Sequence, residues 1–142
     1  AEVWATDIST SALAVASANA RRLGADVRLA ACDLAAAFPE RSFDLVVSNP
    51  PYVALADLGG LQREVRDFEP HVALFGGETG LDVYGRLVEE ARRVLTAGGA
   101  LVMELGFRMA EPVCGMLASG WRGVRTTPDL AGIPRVVSAR LP

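Results

Sequence analysis

The chain has 142 residues, of which 51% are hydrophobic and 22% are charged, and its 14 basic and 17 acidic residues give a formal net charge of −3. These proportions predict one globular domain with a real core and exclude a disordered chain. No apolar run approaches the roughly 20 residues of a membrane-spanning helix, and the acidic balance argues against a broad phosphate-binding surface.

Strand-like and helix-like runs alternate along the first part of the chain. The pattern predicts a strand over Ala1–Thr6 that ends at Asp7. A helix follows, with Ser9 at its N-cap and Gly24 at its C-cap. A second strand is predicted over Asp26–Ala31.

The third strand is predicted over Phe43–Ser48, which is almost continuously apolar. Such a run is typical of a parallel strand covered on both faces. It ends at Asn49-Pro50-Pro51-Tyr52, because proline has no N–H to continue a ladder.

The second part of the chain is predicted to hold two helices and three strands. The segment Gly76–Gly80 before the first of these helices is interpreted as a flexible loop, since it lacks the spacing of a phosphate cradle. The last two strands leave no room for a helix between them, so we expect them to be antiparallel. The predicted elements are Leu81–Leu95, Ala100–Leu105, Ala110–Ala118, Arg122–Thr126 and Arg135–Leu141.

Alternating strands and helices with short connections predict an α/β fold with a mainly parallel sheet. Ligands of such sheets bind beyond the carboxyl ends of the strands. The residues that end the predicted strands are therefore the candidates for a site: Asp7, Asp33, Asn49–Tyr52 and Glu104–Gly106.

Two aspartates in these positions have two interpretations each. Asp7 could accept hydrogen bonds from a ribose diol, or it could favour the start of the following helix. Asp33 could accept a hydrogen bond from an adenine amine, or it could simply form a turn. His71 and Glu104 are interpreted as structural, with substrate contact as the alternative.

The loop Asn49–Tyr52 offers hydrogen-bond acceptors. Asn49 contributes its side-chain oxygen and Pro50 contributes only a carbonyl, so together they suit a planar NH2 group that donates two hydrogen bonds. Tyr52 adds an aromatic face on which such a group can lie. A plain strand-terminating turn is the alternative.

No metal site is predicted. Cys32 and Cys114 are far apart in the sequence and His71 is the single histidine. We interpret both cysteines as buried residues of a reduced, cytoplasmic protein.

The tetrapeptide Asn49–Tyr52 resembles the NPPY motif of S-adenosylmethionine-dependent amino-methyltransferases. Further blocks follow in the order seen in the HemK/PrmC family, which methylates the glutamine amide in the Gly-Gly-Gln loop of class I peptide chain release factors. The blocks are Phe68-Glu69-Pro70, Ala73-Leu74, Gly76-Gly77, Gly80-Leu81, Tyr84, Glu104-Leu105-Gly106, Asp129–Gly132 and Arg135–Val137.

The resemblance implies a Rossmann-like class I methyltransferase sheet, mostly parallel with antiparallel C-terminal strands, and S-adenosylmethionine as cofactor. It implies that Asn49, Pro50, Pro51 and Tyr52 bind the substrate amide, with Asn49 and Pro50 catalytic. It also implies a set of residues that contact the cofactor: Asp7, Ile8, Asp33, Leu34 and Asn49. Many relatives have tryptophan at position 34, so weaker adenine stacking is expected here.

Part of the family pattern is not found in residues 1–142. The glycine-rich turn after the first strand, that strand itself and an N-terminal helical domain are missing, so these residues are interpreted as a partial catalytic domain. We expect this chain alone to bind S-adenosylmethionine weakly or not at all, and to be inactive by itself.

Two other functions stay open at this point. One is an amino-methyltransferase acting on adenine or guanine of DNA or RNA, which would use the same acceptors on a flipped-out base. The other is a non-catalytic fragment. The acidic composition and the absence of a target-recognition segment count against a nucleic acid substrate. The resemblance implies a release factor as partner, with no membrane and no direct nucleic acid contact expected.

Overall fold

In the computed structural model, which describes residues 1–142, the chain divides into two compact units, Ala1–Pro39 and Glu40–Pro142. Strands and helices alternate along both, so the predicted α/β class is confirmed. None of the helices combines the length and the apolar character needed to cross a membrane.

The first unit is one strand–helix–strand motif. Strand β1 (Trp4–Asp7) and strand β2 (Arg28–Ala31) are parallel neighbours, connected by helix α1 (Thr10–Leu23). The Ser9 hydroxyl accepts a 3.2 Å hydrogen bond from the N–H of Ala12, and Gly24 ends the helix at φ 65°. Both predicted caps are therefore confirmed.

The second unit holds a four-stranded sheet with the order β3-β4-β6-β5. The first pair is parallel and the other two pairs are antiparallel, which confirms the expected antiparallel end of the chain. Its strands are β3 (Phe43–Ser48), β4 (Leu95–Glu104), β5 (Arg122–Pro128) and β6 (Pro134–Arg140). Its helices are a 3-10 helix (Leu55–Gly60), α2 (Arg63–Phe68), α3 (His71–Leu74), α4 (Asp82–Val94) and α5 (Ala110–Met116).

Strand β4 begins earlier than predicted. The Ala97-Gly98-Gly99 run was expected to separate helix from strand, yet it lies within Leu95–Glu104. The cause is its pairing with the end of the chain, since Gly98 donates to the Leu141 carbonyl and Leu141 donates to the Gly99 carbonyl. The register with β3 shifts in the same region.

The core of the second unit is formed by α4, α5 and the sheet. One face of α4 is buried, as is Trp121; the buried α4 residues are Tyr84, Leu87, Val88, Ala91 and Val94. Cys32 and Cys114 are free but only partly buried, so the prediction of two buried cysteines was wrong. Both lie on the borders of the packed regions, outside the set of fully buried side chains.

Strand β3 is not covered on both faces. The side chains of Leu45 and Val47 are 53% and 68% exposed, contrary to the prediction of two covered faces. These alternate positions share one face of the strand, and no layer of this chain covers it. Since β3 pairs only with β4, its other edge has no partner strand either.

Candidate functional site

The loop Asn49–Tyr52 leaves the sheet at the carboxyl end of β3, as predicted. Pro50 is buried and anchors the loop, whereas the Asn49 side chain is exposed and has no hydrogen-bond partner within the chain. No backbone N–H donates to the Pro50 carbonyl. The side-chain oxygen of Asn49 is therefore available to a donor from outside the chain, and the Pro50 carbonyl has no backbone donor within it.

The backbone just after this loop is held by a short bridge. Val53 pairs in parallel with Phe75. Its N–H donates to the Leu74 carbonyl at 2.9 Å, and its carbonyl accepts from the Gly76 N–H at 3.0 Å. The segment 74–76 thus fixes the exit of the loop, although 21 residues or more separate the two in sequence.

Glycines make room for the loop on its inner side. A Cβ atom at Gly76 would lie 2.5 Å from the Pro51 carbonyl oxygen, and one at Gly106 would lie 2.7 Å from Cδ2 of Tyr52. At Gly80, where φ is +79°, a Cβ would collide with the Tyr52 carbonyl oxygen. Gly76–Gly80 precedes α4 as predicted, and its first and last glycines are buried against the loop rather than free of it.

The Tyr52 ring is joined to the end of β4. Its hydroxyl donates to Glu104 Oε1 at 3.3 Å. The buried hydroxyl of Tyr84, on α4, donates to the Glu104 carbonyl at 2.8 Å and accepts from the Gly106 N–H at 3.2 Å. Three segments distant in sequence therefore meet through one chain of hydrogen bonds.

The two tyrosines stay protonated at neutral pH. Burial, followed by the charge of Glu104 and its hydrogen bond, raises the pKa of Tyr52, and the charge of Arg135 partly offsets this. Burial raises the pKa of Tyr84 to about 12. Both hydroxyls can therefore act as donors to the Glu104 oxygens over the physiological range.

The first unit places the two candidate aspartates at one sheet edge. Asp7 ends β1 and pairs with Ala31, the last residue of β2, so Asp33 follows at the same carboxyl end. Asp7 Oδ1 accepts from the Ser9 N–H at 2.7 Å, which supports the helix-start interpretation for one of its oxygens. Its other oxygen has no partner within the chain and is exposed.

Ile8 and Leu34 directly follow the two aspartates. Ile8 is 61% exposed, so an apolar surface lies beside Asp7. Leu34 has φ 48°, and its carbonyl accepts from the Thr6 hydroxyl at 2.8 Å. This bond ties the turn after β2 to β1.

Sequence reasoning missed the second layer of this arrangement. Tyr84 was named only as one block of the resemblance and Glu104 was interpreted as structural, and the structure shows that both take part in the hydrogen bonds around Tyr52. The signal available in the sequence was a polar hydroxyl within the apolar stripe of α4 and a glutamate at a strand end. His71 is exposed and lies edge-on to Phe75, with ring centroids 5.2 Å apart.

Comparison with known proteins finds similar sequences over nearly the whole chain. Residues 1–60 match the model of the Methyltransferase small domain. The chain is 47% identical over 142 residues to a release factor glutamine methyltransferase of Koribacter versatilis, covering 99% of this chain and 50% of that protein. A relative of the same description from Deinococcus radiodurans is 45% identical, with 99% and 50% covered.

Over nearly its whole length, the chain is similar to proteins described as release factor glutamine methyltransferases. It spans about half the length of the curated relatives that it matches. The resemblance seen in the motifs is thus confirmed over nearly the whole chain.

Solved structures support the fold class. A methyltransferase from Pyrococcus furiosus aligns with a TM-score of 0.70 at 20% identity, over 98% of this chain and 62% of that one. A SAM-dependent O-methyltransferase from Thermotoga maritima aligns with a TM-score of 0.63 at 10% identity, over 99% and 49%. At such identities the likeness concerns the fold alone, which is the predicted Rossmann-like class I fold.

Proposed function

We propose that the full-length protein is an S-adenosylmethionine-dependent methyltransferase that acts on the glutamine side-chain amide in the Gly-Gly-Gln loop of class I release factors. The observation that carries the proposal is the pair of free acceptors at the end of β3, the Asn49 side-chain oxygen and the Pro50 carbonyl. The description of the similar proteins as release factor glutamine methyltransferases supports this class of substrate. We also propose that the protein is cytoplasmic, in keeping with this substrate.

The chemistry of an amide explains why this loop offers acceptors and no base. An amide nitrogen is a poor nucleophile because its lone pair is delocalised. When bound, S-adenosylmethionine supplies an electrophilic sulfonium methyl group. Transfer of this methyl group to the amide nitrogen would place positive charge on that nitrogen, and the electron pair of the S–C bond would stay with the sulfur.

The oxygens of Asn49 and Pro50 accept the two N–H groups of the amide and stabilise that charge as it grows. Tyr52 provides a face for the planar amide. The N-methylated, protonated amide is strongly acidic and loses its proton to water. The reaction therefore needs no histidine or lysine base in the loop.

The residues of the first unit fit the nucleoside of the cofactor. Asp7 keeps one carboxylate oxygen free at the end of β1, as a ribose diol requires, and Asp33 follows the neighbouring parallel strand. Ile8 and Leu34 flank them with apolar surface for the nucleoside.

We also infer that the catalytic domain contains a further strand with a glycine-rich turn, outside residues 1–142. The free edge of β3 and its exposed Leu45 and Val47 support this, because an apolar strand edge in a working domain needs a partner. An N-terminal helical domain belongs to the same proposal.

A methyl-transfer assay tests the proposed function. The full-length protein is incubated with S-adenosylmethionine and a class I release factor, and the Gly-Gly-Gln peptide is analysed by mass spectrometry. We expect one added methyl group on the glutamine amide, and none when that glutamine is replaced by alanine. Methylation of DNA or RNA, with the release factor unmodified, would contradict the proposal.

A further inference from the structure

The hydroxyl of Tyr84 has a task that core packing does not explain. The residue is fully buried, and a phenylalanine would fill the same space without a polar group to satisfy. Its hydroxyl instead bridges the turn after β4, donating to the Glu104 carbonyl at 2.8 Å and accepting from the Gly106 N–H at 3.2 Å. One atom thus holds the backbone on both sides of Leu105.

The turn held in this way touches the Tyr52 ring at two places. A Cβ at Gly106 would lie 2.7 Å from Cδ2 and 3.0 Å from Cγ, so the backbone there is packed against the ring near its attachment. At the far end of the ring, the hydroxyl donates to Glu104 Oε1 at 3.3 Å. The position of the ring therefore depends on where Glu104 and Gly106 lie.

We propose that Tyr84 is a positioning residue for the amide-binding loop, acting through the Glu104–Gly106 turn on the ring of Tyr52. The inference rests on the proposed function in that the loop is taken to receive an amide. Tyr84 does not touch the substrate. It fixes the angle of the aromatic face on which the amide lies, and with it the alignment of the nitrogen for methyl transfer.

Arg135 also affects the pKa of Tyr52, and the contacts of Arg135 do not involve Tyr84. Arg135 is paired with Asp129 at 3.0 Å, and its backbone carbonyl accepts from the Leu105 N–H at 2.8 Å. The turn is thus held from β6 through Leu105 and from α4 through its two flanking residues. Removing the Tyr84 hydroxyl breaks only the contacts that come from α4, so the pairing of β4 with β6 is kept.

The test uses the full-length protein with isotope-labelled tyrosine, in which the Tyr52 signal is assigned by its loss in Tyr52→Phe. Tyr84→Phe is compared with wild type, and Gly85→Ala serves as control on the same helix, because a Cβ at Gly85 meets nothing within 4 Å. The readouts are the Tyr52 ring resonance, the pKa of its hydroxyl, and kcat and KM for the release factor.

In Tyr84→Phe we expect a shifted Tyr52 resonance and a Tyr52 pKa that moves down towards 10, since the ring leaves Glu104. We expect kcat to fall by about 10- to 100-fold, the range that a misplaced substrate contact produces, with cofactor affinity unchanged. Gly85→Ala should match wild type in every readout. A purely structural role for Tyr84 would change stability without moving the Tyr52 signal.

An unchanged Tyr52 resonance and pKa in folded Tyr84→Phe would overturn the proposal. If that variant does not fold, hydrogen exchange of the wild-type Gly106 amide decides instead. Protection equal to that of the β4 amides supports the hydrogen bond from Gly106 to Tyr84, and exchange as fast as in exposed loops contradicts it. If the wild type methylates no release factor, the proposed function fails, while the Tyr52 signal still tests the positioning role.

Discussion

The hydroxyl of Tyr52 donates a hydrogen bond to the carboxylate of Glu104, 52 residues further along the chain. Tyr52 follows β3, and Glu104 is the last residue of the neighbouring parallel strand β4; the last residues that these strands pair with each other are Ser48 and Met103. The bond therefore crosses the carboxyl edge of the sheet, where ligands of α/β proteins bind. It couples the candidate amide-binding loop to the rigid core.

The close approach of Gly80 to this loop gives a first prediction. Gly80 and Gly132 share φ +79°, but a Cβ at Gly80 meets the Tyr52 carbonyl, whereas one at Gly132 meets nothing within 4 Å. Alanine costs both sites the same backbone strain of about 1–2 kcal/mol. We expect Gly80→Ala to lower the free energy of unfolding by about 1–3 kcal/mol more than Gly132→Ala, because of the added clash.

Denaturant unfolding of both variants of the full-length protein measures this difference. Equal losses of stability at the two sites would show that the loop yields freely to a side chain at position 80. The close packing around Tyr52 would then contribute nothing to the free energy of unfolding.

The turn that leads into β6 gives a prediction about pH. The pKa of Asp129 is lowered, first by the N–H of Ile133 and then by Arg135, with a smaller contribution from the N–H of Ala131. A carboxylate with a lowered pKa stabilises the folded state above its ordinary pKa, near 4, and this stabilisation is lost as pH falls through the lower, folded-state value. The stability gap between wild type and Asp129→Asn should therefore narrow below about pH 4.

Free energies of unfolding measured from neutral to acidic pH test this prediction. Asp57→Asn is the matched control, since Asp57 is an exposed aspartate on the 3-10 helix whose side chain makes no hydrogen bond or ion pair. Its gap to wild type should stay constant over the same range. A constant gap for Asp129→Asn as well would mean that the turn does not bind the charged carboxylate.

Cofactor binding by residues 1–142 gives a third prediction. These residues provide Asp7 and Asp33 but form a sheet of only two strands around them, with both outer edges unpaired. We expect calorimetric titration with S-adenosylmethionine to show weak binding or none, and the full-length protein to bind. Micromolar affinity of the 142-residue chain would contradict the inferred additional strand and glycine-rich turn.

Local signals in the sequence predicted much of the fold. Ser9 and Gly24 cap α1 as expected, and β3 has the predicted bounds because two prolines follow it. The start of β4 was wrong, since its pairing with Leu141 depends on residues more than 40 positions away. Pairing of this kind leaves no mark on a local pattern.

The candidate site could be predicted only in its outer layer. Asn49–Tyr52 could be recognised because the residue types themselves indicate hydrogen-bond acceptors and an aromatic ring. The roles of Tyr84 and Gly106 were not, because a buried tyrosine looks like any core residue until its partners are known. The prediction that both faces of β3 are covered was also wrong, because burial depends on which other segments pack against the strand.

The decisive measurement is single-turnover methyl transfer to a class I release factor by the full-length protein and its Asn49→Ala variant. Asn19→Ala is the matched control, since Asn19 is exposed on α1 and bonded only to Arg22. Loss of the Asn49 acceptor should lower the rate by at least about 100-fold, with no change in Asn19→Ala. A rate within a few-fold of wild type would show that Asn49 does not hold the reacting amide.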